Sequence, residues 1–353
     1  MTRPPNPSRV YLDWNATTPL RPEARAAMAT AMDIVGNPSS VHAEGRGARA
    51  LMERARGQIA AALGAEGADV IFTSGATEAA ALACSGRGLV CAPVEHEAVT
   101  AWCDATLAVN AAGQVAVADP ARTALQLANS ETGVVQDLPH GIAVCDLTQG
   151  FGKLPVAFNW LGCQMGLISA HKLGGPAGIG ALVVQRGLDI GAQLRGGGQE
   201  MGRRAGTENL IGIAGFAASA NAAARDLANG VWEQVAQLRN ILENALSAHG
   251  FDTISVGNTA VRLPNTLNLI APGWKGETQV MAMDLAGFAV SAGSACSSGK
   301  VRASRVLVAM GYSDALAGQA IRISFGPGVM QDQLLRFADA WGQNYARILS
   351  RAA

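Results

Sequence analysis

Short apolar runs bounded by glycine and polar turns alternate along this chain with longer stretches in which apolar residues recur at helical spacing. Val10–Leu12 reads as a short strand and Asp13–Pro19 as the polar turn after it. Pro22 to Met32 reads as a helix with proline in its first turn. After the break Gly36–Ser40, Leu51, Ala55, Ile59 and Leu63 repeat at i+4, marking a helix capped by Ser39 or Ser40 and ended by Gly64. Val70–Thr73 then reads as a strand and Ala79–Cys84 as an alanine-rich helix. Further strands are expected at Leu89–Ala92, Val115–Val117, Leu125–Ala128, Gly141–Cys145, Met165–Ser169 and Ile179–Val184. Strands alternating with helices from 70 to 184 imply parallel βαβ units and an α/β fold. Leu210–Ala228 reads as a small-residue helix, and Val231–Ala248 as an amphipathic one with Val235, Leu238, Leu242 and Leu246 on one face. The polar Asp226–Gly230 segment marks a boundary. It divides the chain into a large domain, 15–228, and a smaller domain built from 1–14 and 229–353.

Composition narrows the partners. The 353 residues are 49% hydrophobic and 15% charged, with a net charge of +0. A balanced charge gives no reason to expect nucleic acid or an anionic membrane. No apolar run is long enough to span a bilayer, and MTRPPNPSRV lacks a signal-peptide core, so the cytoplasm is the expected compartment. The six cysteines show no CxxC spacing, which signals neither a metal site nor a redox pair; free thiols are expected.

Chemistry enters at Gly141–Leu182. One apolar run ends at Asp146 and the next at His171-Lys172, where open α/β sheets bind ligands. A lysine for a Schiff base and a carboxylate for a pyridine nitrogen suit pyridoxal phosphate; a strand-end acid beside a solvated lysine is the plainer alternative. Phe72-Thr-Ser-Gly-Ala-Thr-Glu78 has the strand–turn–helix form of an anion site, or of an ordinary capped helix. The glycine-rich loop 195–209 sets Arg203 and Arg204 near Thr207, a pairing that suits an anion. Cys296 stands in a run of Ser, Gly and Ala that packs no core, with Lys300 and Arg302 nearby to favour a thiolate. Arg322 lies inside an apolar strand and calls for a carboxylate, from the protein or from a substrate.

Taken together, YLDWNATTP (11–19), GNPSSVH (36–42), FTSGATE (72–78), EHEAV (95–99), NSETGVVQ (129–136), DLTQGFGKLP (146–155), SAHKLGGPAGIGAL (169–182), GGGQEMGRRAGTEN (196–209), SAGSACSSGK (291–300) and IRISFG (321–326) occur in an order that resembles the NifS/IscS-type cysteine desulfurases. These belong to the class V aminotransferase-like group of fold type I pyridoxal phosphate enzymes. The resemblance implies a large domain with a mainly parallel sheet, a smaller α+β domain and a homodimer. It implies that Lys172 carries the Schiff base, Asp146 pairs with the ring nitrogen and His96 stacks on the ring. Ala76, Thr77, Ser169 and His171 would hold the phosphate, with Thr207 reaching the partner subunit's phosphate. Gln149 would contact the ring hydroxyl, Asn37 and Arg322 the substrate carboxylate, and Cys296 would accept sulfur. The implied reaction converts L-cysteine to L-alanine and passes a Cys296 persulfide to an acceptor protein, as in iron–sulfur cluster assembly. A selenocysteine lyase, an aminotransferase on the same fold and a non-catalytic paralogue are the alternatives. The chain departs from the family in three places. Ser130 stands where Asn normally contacts the ring hydroxyl, Ala79–Ala81 replace a more polar run, and the Ala83–Leu127 segment is short.

Overall fold

The computed structural model describes residues 9–293 and 303–352. In chain order the elements are β1 (Val10–Tyr11), α1 (Pro22–Met32), α2 (Ala43–Leu63), β2 (Asp69–Thr73), α3 (Ala76–Cys84), β3 (Val90–Cys91), α4 (Glu97–Thr100) and β4 (Asp104–Ala105). They continue with β5 (Ala124–Gln126), β6 (Val144–Asp146), α5 (Phe158–Leu161), β7 (Met165–Ser169), β8 (Gly180–Val184), α6 (Leu210–Ala228) and α7 (Val231–Ser247). The last are β9 (Ile254–Ser255), β10 (Thr266–Ile270), α8 (Gly276–Leu285), β11 (Phe288–Ala289), β12 (Ser291–Ala292), α9 (Arg305–Ala309), α10 (Asp314–Ala317), β13 (Ala320–Ser324) and α11 (Gln331–Ala352).

The larger sheet has the order β2-β8-β7-β6-β5, and a single parallel bridge between Val90 and Thr123 carries it on to β3 and β4. β2, β7, β6 and β5 all run one way. The expectation of parallel units throughout 70–184 fails at β8, which is antiparallel to both neighbours. The cause is the connection: 170–179 holds only a 3₁₀ turn, Ala170–Lys172, whereas a parallel crossover needs about a dozen residues or more. The sheet is therefore mostly parallel. One core fills its α2/α6 side, with Ile59, Leu63, Phe72, Ile168, Ile213 and Phe216; another fills the α3 side, with Ile71, Leu82, Val144, Leu167 and Leu182.

The smaller sheet, β12-β13-β10-β9, is antiparallel. Its core joins Val10 and Leu12 to α7, α8 and α11 around Trp274, Trp341 and Tyr345. Five described cysteines, Cys84, Cys91, Cys103, Cys145 and Cys163, are buried free thiols.

Local chemistry accounts for the element ends. Proline begins α1, and Gly64 ends α2 in the left-handed region at φ 62°. The α2 cap is His42, whose Nδ1 accepts from the Gly45 N–H, and not Ser39 or Ser40. Asn37 explains this: its side chain accepts from Ser39 N–H and its carbonyl from Ser40 N–H, which holds both serines in a preceding turn. α3 begins at Ala76, three residues before the alanine run, because Glu78 reaches back to accept from Ser74 N–H at 2.7 Å. Val115–Val117 is not a strand. Asn110 Oδ1 accepts from both Ala112 and Gln114 N–H groups, so the chain turns back and Val115 forms one isolated bridge with Val109.

Candidate active site

The carboxyl ends of β2, β5, β6 and β7 meet along one edge of the large sheet, where they open into a cavity of about 920 Å³. Asp146 is the last residue of β6, Ser169 the last of β7, and His171 and Lys172 lie on the 3₁₀ turn that follows. The cavity is lined by these four and by Ala76, Thr77, His96, Ser130, Gln149 and Arg322. Ten of the thirteen residues singled out in the sequence are thus brought to one wall.

The other three lie elsewhere. Asn37 is exposed outside the cavity, in the turn before α2. Thr207 is exposed on the loop 195–209 and does not line its own chain's cavity. That loop is rooted by Glu200, a buried residue in the left-handed region (φ 49°), whose carboxylate takes hydrogen bonds from Arg56 at 2.8 and 2.9 Å and from Phe72 N–H at 3.0 Å. Cys296, with Lys300 and Arg302, lies outside the described residues.

At one end of the cavity the α3 N-terminus presents Ser74, Gly75, Ala76 and Thr77. First-turn N–H groups have no partner within the helix, and the helix dipole adds positive potential there. A Cβ built on Gly75 meets nothing within 4 Å, so any side chain at this position would fill the anion space itself. His171 faces the same cavity. Burial and the neighbouring Lys172 and Lys153 hold it down to about 4, so it is a neutral ring there. Asp146 Oδ1 accepts from Thr148 N–H at 2.9 Å, which fixes the carboxylate at the strand end.

His96 caps α4, its Nδ1 accepting from Ala98 N–H at 3.1 Å. That bond leaves Nε2 to carry the ring proton in the neutral form. The Lys172 amine donates to the carbonyls of Asn15 at 2.7 Å and Ala16 at 2.8 Å. Arg322 donates to Asp13 at 2.6 Å and to the Ser130 carbonyl at 3.1 Å. Its Nε is buried with no hydrogen-bond partner, a donor left for an anionic ligand.

Several residues of the wall were not singled out in the sequence. Asp13 neutralises part of Arg322. Glu131, pushed up to about 7 by burial, accepts from Ser304 Oγ at 2.5 Å. A Cβ on Gly293 would stand 2.8 Å from Ser304 Cβ and 3.2 Å from Glu131 Oε2, so Glu131 gathers the described residues on either side of 294–302. Glu95 is fully buried with both carboxyl oxygens unpaired, and burial raises it well above the ordinary carboxyl range. Their signals were faint: each is a single polar residue in a turn, and only the fold sets it against the cavity. Ser130 enters the wall through its backbone as well, its carbonyl accepting from both Asn15 Nδ2 and Arg322.

An anion cradle, a strand-end carboxylate and an amine around one cavity fit pyridoxal phosphate, and the unpaired Arg322 Nε fits the carboxylate of an amino acid beside it. No group of side chains among the described residues could hold a metal ion, and no helix among them is long and apolar enough to cross a membrane.

Comparison with known proteins agrees with this geometry. The model of the aminotransferase class-V family matches residues 10–337. A cysteine desulfurase of Frankia sp. (strain EuIK1) is 36% identical, covering 97% of this chain and 92% of the relative. One from Cereibacter sphaeroides is 39% identical, covering 90% of each. The crystal structure of a NifS-like protein from Rickettsia africae superposes with a TM-score of 0.87 at 30% identity, over 96% of this chain and 99% of that one. By sequence and by fold, the chain belongs to the aminotransferase class-V family, among its cysteine desulfurases.

Proposed function

We propose that this protein takes sulfur from L-cysteine with pyridoxal phosphate as cofactor, releases L-alanine, and carries the sulfur as a Cys296 persulfide to an acceptor protein. The observation that carries the reading is Lys172 sharing one cavity with the α3 N-terminus, Asp146 and the buried, incompletely paired Arg322. The cofactor would be held by the first N–H groups of α3 with Ser169 and His171 at its phosphate, Asp146 at its ring nitrogen, His96 on its ring face, and Gln149 with Ser130 near its hydroxyl. Bound there, it supplies an electron sink for charge developing at the substrate Cα.

The chain's own groups do the rest. Arg322 orients the substrate carboxylate. The Lys172 amine would accept the substrate's Cα proton and hold it for return. The Cys296 thiolate attacks the substrate sulfur, forming an S–S bond as the Cβ–S bond breaks. His171 stays neutral at working pH, so it can donate one hydrogen bond to a phosphate without adding charge beside Lys172.

Thr207, exposed and outside its own chain's cavity, supports a homodimer in which it reaches the partner's phosphate. Asn37, also exposed, suits the same shared site. The separate cores on either side of Asp226–Gly230 support two domains, 15–228 and 1–14 with 229–353. A cytoplasmic enzyme that supplies sulfur for iron–sulfur cluster assembly completes the reading.

Four outcomes are expected. Borohydride treatment of the yellow protein should fix one cofactor on the Lys172 peptide, and Lys172→Ala should abolish alanine release; a protein that never captures pyridoxal phosphate would sink the cofactor reading. Cys296→Ser should cut alanine release from L-cysteine at least a hundredfold while the cofactor spectrum stays unchanged, on the order of the loss when a nucleophile is removed. Mass spectrometry of the wild type should find one reductant-labile sulfur on that peptide, and its absence during turnover would refute the persulfide. Light scattering should give a dimer, with Thr207→Ala weakening cofactor retention; an active monomer would count against the shared site.

The fourth outcome concerns pH. Burial raises Glu131 from 4.5 to about 7 against the opposing pull of Ser304, Arg322 and Arg305. The native state therefore holds this proton more tightly than the unfolded chain does. The contribution is full below the unfolded value and is lost as pH rises through about 7. Glu131→Gln mimics the protonated form and lacks this loss. In urea unfolding, its stability relative to the wild type should climb between these two pH values, by roughly 3 kcal/mol at most. Parallel stability curves for the two proteins would show that Glu131 is ionised in the native state.

A further inference from the structure

The chain contains only four lysines, Lys153, Lys172, Lys275 and Lys300, against an abundance of arginine. Lys172 lines the cavity, and Lys153 is buried behind the Asn15 and Gln149 side of its wall. Lys153 is buried, and its Nζ donates to Gln149 Oε1 at 2.7 Å and to Asn15 Oδ1 at 3.2 Å. The other end of the Gln149 amide leads back to Lys172. Gln149 Nε2 donates to the Asn15 carbonyl at 2.9 Å, and that carbonyl also accepts from Lys172 Nζ at 2.7 Å. Asn15 Nδ2 donates to Thr266 Oγ1 at 2.8 Å and to the Ser130 carbonyl at 3.1 Å. A lysine donor selects the oxygen side of an amide. Lys153 thus agrees with the flips that the Asn15 and Ser130 carbonyls require, shares Asn15 Oδ1 with Asn265 Nδ2 at 3.2 Å, and ties both amides to the residue on whose carbonyl Lys172 rests.

We propose that Lys153 is a positioning residue of this site: through Asn15 and Gln149 it holds the Lys172 amine where it can capture the carbonyl carbon of a ligand. The proposal rests on the reading of Lys172 as the amine that captures the cofactor.

Charge decides why lysine and not arginine stands at 153. The charged or titratable groups that face it are Lys172, Arg322 and His171, and the Asp13 carboxylate is already bonded to Arg322. Both acceptors of Lys153 are amide oxygens, so no carboxylate offsets an ammonium there. Burial and the two neighbouring cations drive Lys153 well below the ordinary lysine range. A neutral amine has two hydrogens to donate, which matches the two acceptors. It builds the network without placing a second fixed charge on this wall. Arginine cannot lose its proton and could not serve this way.

The test uses the full-length protein stripped of cofactor and reloaded with pyridoxal phosphate, with capture read as the borohydride-fixed adduct on Lys172. Lys153→Met should slow or weaken capture at least tenfold while the thermal midpoint of the cofactor-free protein moves by only a few degrees. Lys153→Gln, an uncharged donor, should recover more of the capture than Lys153→Arg. Combining Lys153→Met with Asn15→Ala should cost no more than the worse single change, because the two act through one network. Should the variants fold poorly, the wild type still decides. With so few lysines, carbon-13 lysine NMR of the cofactor-free protein resolves each one, and one buried amine should titrate well below the ordinary range.

Wild-type capture rates in Lys153→Met, strictly additive losses in the double variant, full recovery by arginine but not glutamine, or four ordinary lysine titrations would each overturn the inference. These results would leave Lys172 as the capturing amine. Failure of the wild type to fix pyridoxal phosphate on Lys172 at all would remove that reading and this inference together.

Discussion

Two basic side chains, Lys172 and Arg322, line one cavity wall with a third, Lys153, buried behind it, and residues 13–16 supply acceptors to all three. Asp13 takes Arg322, the Asn15 and Ala16 carbonyls take Lys172, and the Asn15 side chain takes Lys153. Burying cations is costly unless each donor finds an acceptor, and a backbone carbonyl serves without bringing a second charge. The same stretch is itself held on both sides. Trp14 N–H donates to the Ser324 carbonyl, Asn15 N–H to Ser324 Oγ, and Thr18 N–H to the His171 carbonyl. A short N-terminal segment therefore ties β13 of the smaller sheet to the turn after β7 of the larger one. Gly326 permits the close approach: a Cβ there would sit 2.1 Å from the Trp14 ring.

The sheet geometry explains why the chemistry gathers where it does. With β5, β6 and β7 running together, their carboxyl ends deliver Gln126, Asp146 and Ser169 to one edge. The antiparallel β8 returns from that edge through a turn too short for a crossover helix, so Lys172 stays beside the end of its own strand. A longer connection would have carried it away over the sheet face. The positive end of α3 opens on the same edge because β2, its predecessor, runs in the same direction as β7.

Carboxyl groups in the wall follow the complementary rule. Asp13 is paired with Arg322, while both Glu95 carboxyl oxygens lack a hydrogen-bond partner and Glu131 has only a serine at hydrogen-bond distance. Desolvation therefore favours their protonated forms, and the cavity keeps fewer negative charges than its list of acids suggests. That leaves the Asp146 carboxylate at the strand end as the acid best placed to act on a ligand.

Much of this was present in the sequence. Apolar runs of strand length ending in Asp146 and Lys172, the alanine helix after a small polar turn and the proline and glycine helix ends are local features, set by backbone preference and burial period. They located most of the elements and set Asp146 and Lys172 at strand ends, whereas His96, Ser130 and Gln149 were singled out only through the family resemblance. The direction of β8 was not local: it depends on whether a connection can span the sheet, which no apolar pattern reports. Nor could sequence reveal that His42 caps α2, since Asn37 first had to occupy Ser39 and Ser40. Lys153 looked like one lysine in the run Gly150–Pro155, and Asn15 like one residue of a polar turn. Their pairing across distant parts of the chain, and the burial that disfavours the charged form of Lys153, exist only once the N-terminal segment is threaded between the sheets. Tertiary structure alone decides such matters, because desolvation and hydrogen-bond direction depend on what surrounds an atom and not on what precedes it in the chain.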